Sequence, residues 1–352
     1  AEPGPQEDPP VKLKNNFFTE PVEGVVEGYS LPSRHEVDPS AVMAFFYYVL
    51  FGMMLSDAAY GLLTVVGSAF ALRKFPDMEL KMRKTLRMFL FCGISTTVWG
   101  VLFGSYFGDA IPVIAQTFFH TEITVPALWF EPLDDPMRLL IFSFGVGVAH
   151  LFTGLGVQFY QLAKQKKYAD ALYDVVFWYL LVGGLIVVLL STEIFQNIAE
   201  LPFVVPGPVA AVAGVLAGIG AVGILFTAGR ESRNPVKRFL KGLYGLYGVS
   251  SYLSDILSYS RLLALGLATS VISTVFNQLG AMLGGGVVGA IFFAVVFLIG
   301  HSMNMAINLL GAYVHTNRLQ FVEFFGKFYE GGGRAYAPFA ANTKHFQIKE
   351  EK

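Results

Sequence analysis

Residues 251–273 read SYLSDILSYSRLLALGLATSVIS, and residues 300–325 read GHSMNMAINLLGAYVHTNRLQFVEFF. Both are apolar segments of membrane-spanning length, yet the first contains Arg261 and the second contains Arg318. A guanidinium stays charged at any accessible pH, and placing one in a bilayer costs about 2.5–3.5 kcal/mol on insertion scales. Two such charges in successive segments predict an ion pathway, a proton relay or a buried counter-ion.

The composition of the whole chain agrees with a membrane protein. The 352 residues are 54% hydrophobic and only 14% charged, whereas a soluble domain carries about 25% charged residues. We therefore predict an all-α, polytopic membrane protein. The net charge of −1 and the lack of a basic block do not favour a nucleic-acid partner. The single cysteine, Cys92, excludes a disulfide framework and a Cys-based metal site, and we expect no metal or cofactor.

The hydrophobic runs are separated by loops of very different charge. Runs long enough to cross about 30 Å of hydrocarbon lie at about 41–72, 88–108, 138–163, 170–191, 207–228, 244–283 and 287–325. Loops 73–87, 164–167 and 229–241 are rich in Lys and Arg, whereas loops 109–136 and 192–206 contain none. The positive-inside rule places the first three loops in the cytoplasm and the last two outside.

The number of times that the first run crosses the membrane decides on which side residues 1–40 lie. If residues 1–40 are cytoplasmic, run 41–72 must enter the membrane and return, as a hairpin of two short helices that breaks near Ser56 and Asp57. The total is then about eight membrane helices with both termini cytoplasmic. The alternative is one long span with residues 1–40 outside. Runs 244–283 and 287–325 exceed an upright span, so we expect long, tilted helices or helices that project into the cytoplasm.

The chain divides into three predicted parts. Residues 1–40 begin with a proline-rich, acidic stretch and read as a linker and the edge of a cytoplasmic N-terminal arm that is mostly missing. Residues 41–330 form the membrane domain. Residues 331–352 form a cytoplasmic C-terminal tail.

The last run carries a polar stripe. Its members share a spacing of three and four residues, which places them on one face of a helix: His301, Asn304, Asn308, Gly311, His315 and Arg318. Hydrogen bonding between helices explains one or two such residues well. A continuous stripe that ends in an arginine favours a hydrated pathway or a charged interface.

The preceding run has a matching pattern. Polar residues occupy its cytoplasmic half: Ser254, Asp255, Ser258 and Arg261. Ala264, Ala268 and Thr269 continue on the side of the arginine, and small residues let another helix approach closely. We therefore expect a partner helix or water at Arg261. The alternative for either arginine is snorkelling to the interface, which suits Arg318 better because it lies nearer the cytoplasmic end.

Three further polar residues are candidates for a structural or a functional role. Asp57, at the proposed hairpin break, either pairs with an arginine or caps a helix. Glu323 lies beyond Arg318 and off the stripe, and could line a wet entrance. His150 favours a hydrogen bond across helices.

Several motifs resemble one family. The runs SYLSDILSYSRLLALGLA (251–268) and HTNRLQFVEFFGKFYEGGGRAYAPF (315–339) are similar to the membrane half of the stator subunit of V/A-type rotary ATPases, called subunit a or subunit I. The opening FFTEPVEGVVEGYSLPSRHEVDPS (17–40), FGMMLSDAAYG (51–61) and FGSYFG (103–108) fit as well. The resemblance covers about residues 11–345 and implies that the missing portion is the family's cytoplasmic arm.

The resemblance implies a function. In that family, ions cross by way of a rotating ring of proteolipid subunits that carry carboxylates, and an arginine separates two half-channels in the stator. Arg261 matches that arginine, and Arg318 matches a second one. The implied partners are the proteolipid ring, the peripheral stalk and other subunits, and membrane lipid. No GxxxxGK[ST] loop is present, so ATP chemistry is expected on other subunits, in a bacterial or archaeal cell membrane.

The chain departs from the eukaryotic pattern at two positions. Eukaryotic members carry an acidic residue near Asn308 and a histidine near Thr269. The neutral residues here leave the outer half-channel route open, and they leave open whether the ion is a proton or sodium. The rival interpretations are a transporter or channel that works alone, for which no internal repeat is visible, and a scaffold, which would need neither arginine.

Overall fold

The computed structural model describes residues 9–34, 36–199, 204–230 and 234–336. Residues 1–8 of the predicted linker and 337–352 of the predicted tail lie outside the described residues, as do parts of loops 192–206 and 229–241.

The regular elements of the described residues are helices, which confirms the predicted all-α class. The α-helices are α1 (Glu23–Tyr29), α2 (Ser40–Leu55), α3 (Ala58–Lys74), α4 (Leu80–Phe103), α5 (Ala110–Phe119), α6 (Pro136–Lys164), α7 (Tyr168–Ala171), α8 (Phe177–Leu190), α9 (Glu193–Ala199), α10 (Gly207–Thr227), α11 (Pro235–Ser258), α12 (Ser260–Ala281) and α13 (Val287–Arg318). Short 3-10 and π-helical segments extend several of them: Glu20–Val22, Leu172–Val176, Leu319–Phe324 and Phe325–Lys327.

Six helical segments of the described chain are long and apolar enough to cross a membrane. They are Leu80–Phe103, Pro136–Lys164, Tyr168–Leu190, Gly207–Thr227, Pro235–Ala281 and Val287–Lys327. Each overlaps one of the predicted runs. The remaining run, 41–72, is divided between α2 and α3.

The predicted break in run 41–72 is confirmed. Ser56 ends α2 in the left-handed region, with φ 34°, and Asp57 caps α3 by accepting bonds from the N–H groups of Ala59 and Tyr60. A continuous helix through this run is therefore wrong. The cap satisfies two of the donors that every helix start leaves open.

The two helices form a hairpin against α4. Phe91 of α4 contacts Tyr48 of α2, and Trp99, about two turns later on α4, lies beside Gly52 near the end of α2. From there α3 returns, with its start against Gly100 and a later turn against Gly93. Both ends of the hairpin therefore lie on the side where α4 begins.

The main hydrophobic core surrounds α2. Met43, Tyr47, Phe51 and Met54 are fully buried, and they pack with buried residues of α4, α12, α13 and the segment after α13. A helix that is apolar on every side is typical of a buried position in a bundle, although Phe45 of α2 is exposed. A smaller core joins α8 and α10, where glycines allow close contact.

The two arginine-bearing runs are not uniform helices. The 47-residue segment Pro235–Ala281 bends at Tyr259, which separates α11 from α12. The buried Tyr259 ring packs on Gly147, and its hydroxyl lies 2.7 Å from Nδ1 of His150. This bond between helices confirms the interpretation of His150. At the other run, α13 passes into the π-helical turn Leu319–Phe324.

The segment before α2 folds onto the bundle. Lys84 of α4 pairs with Glu23 at 2.5 Å, and Arg87 pairs with Glu20 at 3.1 Å. Val22 and Val26 are fully buried beneath these pairs. This part of the predicted linker is therefore ordered against the membrane domain.

The end of the described chain joins the same segment. The Glu36 carboxylate accepts hydrogen bonds from the N–H groups of Glu330 and Gly331, and the Tyr329 hydroxyl donates to the Ser30 carbonyl at 2.7 Å. Burial raises the pKa of Tyr329 above its usual value, which keeps this hydroxyl a donor. Both described ends therefore lie on the face of the bundle that carries the basic residues of 73–87.

Candidate functional site

Arg261 lies in the first turn of α12, directly after the bend at Tyr259. Its Nη1 is 3.3 Å from Oε1 of Glu323, and 22% of its side chain is exposed. Ala264, one turn on, is exposed, and Ala268 is half-buried. Arg261 is thus paired inside the protein on one side and open on the other, beside a surface of small side chains.

Glu323 lies in the π-helical turn, five residues after Arg318. Arg318 and Val322 are exposed whereas Glu323 is buried, so Glu323 does not share the face of Arg318 and stays off the stripe, as expected. Its side chain is 2% exposed, so it makes the buried half of the ion pair.

The C-terminal end of the stripe, which contains His315 and Arg318, lies at the protein surface. Arg318 is exposed, and His315 is half-buried within electrostatic reach of both Arg261 and Arg318. Gly311, one turn further up, packs against the side chain of Leu265. His315 therefore lies near two arginines, one on α12 and one on α13.

The N-terminal end of the stripe, from His301 to Asn308, is buried and hydrogen-bonded. The Tyr60 hydroxyl of α3 lies 2.6 Å from Nδ1 of His301, and it accepts from the Asn304 amide at 3.0 Å. The same amide donates to Ser273 of α12 at 2.9 Å. Asn308 donates to the side chain of Asn304 at 2.5 Å. This half of the stripe bonds helices together, as the alternative interpretation predicts.

The hydrogen bonds continue towards the α4–α5 loop. Nε2 of His301 lies 2.9 Å from the Asn277 side-chain oxygen, and the Asn277 amide donates to the Asp109 carboxylate at 2.9 Å. Asp109 also lines a cavity of about 220 Å³, together with Ser270 and Thr274 of α12. We call the series Asp109, Asn277, His301, Tyr60, Ser273, Asn304 and Asn308 the polar column. It joins the cavity to the middle of α13.

Other predicted residues have local partners. Asp255 pairs with Lys327 at 2.5 Å. Ser258 donates to the Ser254 carbonyl within α11, and Ser254 is exposed. The Thr269 hydroxyl donates to its own helix, while its carbonyl accepts from Asn304.

Asp57 caps α3 and bonds it to the α4–α5 loop. Beyond its two bonds to the start of α3, its carboxylate accepts from the Ser105 hydroxyl at 2.7 Å, the Gly108 N–H at 2.9 Å and the Phe107 N–H at 3.2 Å. The side chain is 1% exposed. Five donors satisfy its charge, so the cap interpretation holds and the arginine pairing does not.

Comparison with known proteins identifies relatives of this chain. The model of the V-type ATPase 116 kDa subunit family matches residues 249–341, which contain both arginines and the stripe. The A-type ATP synthase subunit I of Pyrococcus horikoshii is 34% identical over 100% of this chain and 50% of its own length. The chain is a homologue of subunit I of the A-type and V-type ATP synthases.

More distant relatives carry the same description. The A-type ATP synthase subunit I of Methanocaldococcus jannaschii is 32% identical over 97% of this chain and 50% of its own length. The V-type ATP synthase subunit I of Chlamydia pneumoniae is 24% identical over 95% of this chain and 55% of its own length. The chain spans about half the length of the curated relatives it matches.

Reasoning from the sequence missed four members of the polar column. Thr269, Ser273 and Asn277 follow one another at intervals of four residues, which is a polar line on one helix face. That line could have been found. Tyr60 and Asp109 had no such signal, because they reach the column from other parts of the chain, α3 and the α4–α5 loop.

Proposed function

We propose that this homologue of subunit I is a non-catalytic, ion-translocating stator subunit of a rotary ATPase. It forms two half-channels at its interface with a proteolipid ring, and it couples the flow of protons or sodium ions to ring rotation and ATP synthesis or hydrolysis. The observation that carries this proposal is Arg261, paired on its inner side with Glu323 and open on its outer side beside Ala264 and Ala268.

The open side of Arg261 suits a passing carboxylate. A fixed cation near a carboxylate favours its ionised form, so a ring site that reaches Arg261 gives up its ion. The same cation repels ions and blocks a direct leak from one half-channel to the other. Ala264 and Ala268 leave space for a ring helix to approach. Arg318 and His315 add positive or polar groups on the neighbouring helix.

The polar column supports the outer half-channel. Its upper end is the cavity at Asp109, in a loop region without Lys or Arg that the positive-inside rule places outside. Its lower end is Asn308, two turns above His315. Buried polar groups in a membrane bundle are costly, which gives a series of seven a functional interpretation.

The inner half-channel is assigned to the other end of the site. Ser254, Asp255 and Ser258 lie on α11 before the bend, and Glu323 of the π-helical turn lies near Ser258. Ser254 is exposed, and Asp255 is partly exposed despite its pair with Lys327. These groups offer a polar route from the side that carries the basic loops.

The hairpin α2–α3 brings the proposed number of membrane helices to eight, with both ends of the chain in the cytoplasm. Segment Val287–Lys327 has 41 residues and would reach about 60 Å, so we propose that it tilts or projects from the bilayer. In the complete protein, an N-terminal arm would connect this domain to the peripheral stalk. The proposed location is a bacterial or archaeal cell membrane.

The test is ATP-driven ion pumping by the assembled complex in sealed vesicles, in sodium-free and sodium-containing media. Arg261→Ala should abolish pumping while the complex stays intact. Arg138→Ala is the matched control, because Arg138 is an exposed arginine that stacks on Phe130 at 5.0 Å, away from the site. Normal pumping by intact Arg261→Ala complexes would exclude the stator role and favour a transporter or scaffold.

A further inference from the structure

The ion pair between Arg261 and Glu323 has an unusual geometry. Its N–O distance is 3.3 Å, whereas charge-assisted bonds of this type measure about 2.7–2.9 Å. It is a single contact, although a guanidinium has five donors in a fork that fits both carboxylate oxygens. In the same chain, Arg230 holds both oxygens of Asp174, at 2.9 and 2.7 Å. The Arg261 pair is therefore held loosely.

The environment of Glu323 makes the loose contact costly. The side chain is 2% exposed, and its second oxygen, Oε2, accepts no hydrogen bond of normal geometry among the described residues. The nearby Ser258 hydroxyl donates to the Ser254 carbonyl, so it offers the carboxylate at most a weak contact. A buried carboxylate is expensive unless it is paired and fully hydrogen-bonded. A long single contact therefore leaves the charge of Glu323 poorly compensated.

The two partners also lie at two different interruptions of regular α-helix. Arg261 follows the bend at Tyr259, and Glu323 lies in the π-helical turn. With 22% of its side chain exposed, Arg261 can meet a second carboxylate from outside while Glu323 remains behind it. Glu323 is thus placed to compete with an external carboxylate for the same guanidinium.

We propose that Glu323 is the exchange counter-ion of Arg261. This inference rests on the proposed function. Glu323 pairs with Arg261 between the passages of two ring carboxylates, releases it to each arriving carboxylate and takes it back. Its competition weakens the hold of Arg261 on the ring, so that a ring site is not trapped beside the arginine.

The test measures how ATP-driven turnover of the assembled complex depends on the concentration of the transported ion. In Glu323→Gln, a neutral isostere, Arg261 holds the ring carboxylate more strongly, and the ion must compete harder to release it. We expect the ion concentration for half-maximal turnover to rise by about tenfold, with the maximal rate largely kept. Glu20→Gln is the control, because it removes an ion pair with Arg87 on the cytoplasmic-loop face, away from the site.

A purely structural role of Glu323 predicts another result. It would lower the maximal rate and leave the half-maximal concentration unchanged, and that outcome would overturn the exchange. If Glu323→Gln does not assemble, Glu323→Asp keeps the charge but lengthens the contact, and it should shift the half-maximal concentration in the same direction by less. An unchanged value would again exclude the exchange. The failure of the stator role is separate, because it appears as normal pumping in Arg261→Ala.

Discussion

Replacing Asp57 by Asn tests whether the α3 cap holds the core of the bundle together. The substitution preserves the shape of the side chain, but its amide nitrogen cannot accept the bonds that Oδ2 receives from the Ser105 hydroxyl and the Gly108 N–H. A hydrogen bond to a charged group contributes about 1.5–3 kcal/mol when its partner is left buried. Two of them give a destabilisation of roughly 3–6 kcal/mol, and we use the lower bound because the serine hydroxyl can rotate to another acceptor.

Cys92 provides the assay. It is the only cysteine in the sequence, and it is fully buried in α4. A maleimide reaches it only when the structure opens. When the structure recloses faster than the maleimide reacts, the rate of modification is proportional to the equilibrium constant for opening. A loss of about 3 kcal/mol corresponds to a modification rate about one hundred times higher in detergent-solubilised protein.

The control is Asp135→Asn. Asp135 caps α6 through a single bond from the Arg138 N–H at 3.2 Å, at an exposed helix start. Asn caps as well as Asp, so the effect should stay within about 0.5 kcal/mol, or roughly a twofold change in rate. Equal rates for the two variants would refute the argument that the five bonds of Asp57 stabilise the fold.

Two other predictions concern the ion route. Tyr60→Phe removes the hydroxyl that joins His301 to Asn304, and it should reduce ion flux in sealed vesicles while assembly, followed by gel filtration of the complex, is unchanged; wild-type flux would remove Tyr60 from the route. Ala264→Cys should form a disulfide crosslink to a cysteine on a ring helix under mild oxidation, because Ala264 is exposed beside Arg261, whereas a cysteine at the buried Ala312 should not. Equal crosslinking at both positions would mean that the α12 surface does not face the ring.

Much of the helical framework follows from the sequence because hydrophobic length and helical periodicity are local properties. The break at Ser56–Asp57 was predictable, since a serine and an aspartate interrupt an otherwise apolar run and are strong capping residues. The stripe from His301 to Arg318 was also predictable, because its spacing of three and four residues fixes one helix face. Its functional interpretation stays a prediction, and only the structure shows that the part from His301 to Asn308 is buried and hydrogen-bonded between helices.

The sequence by itself determined that this is an all-helical membrane protein with charged residues in its last two runs, and its motifs carried the resemblance to subunit I. Only the tertiary structure decided the partners of those charges. No sequence pattern assigned Glu323 a partner, and only the packing of the π-helical turn beside α12 brings it to Arg261. Asp57 had two equal interpretations until the α4–α5 loop closed around it. Tyr60 and Asp109 lie far from α13 along the chain, and contacts between distant segments depend on packing, which no local pattern records.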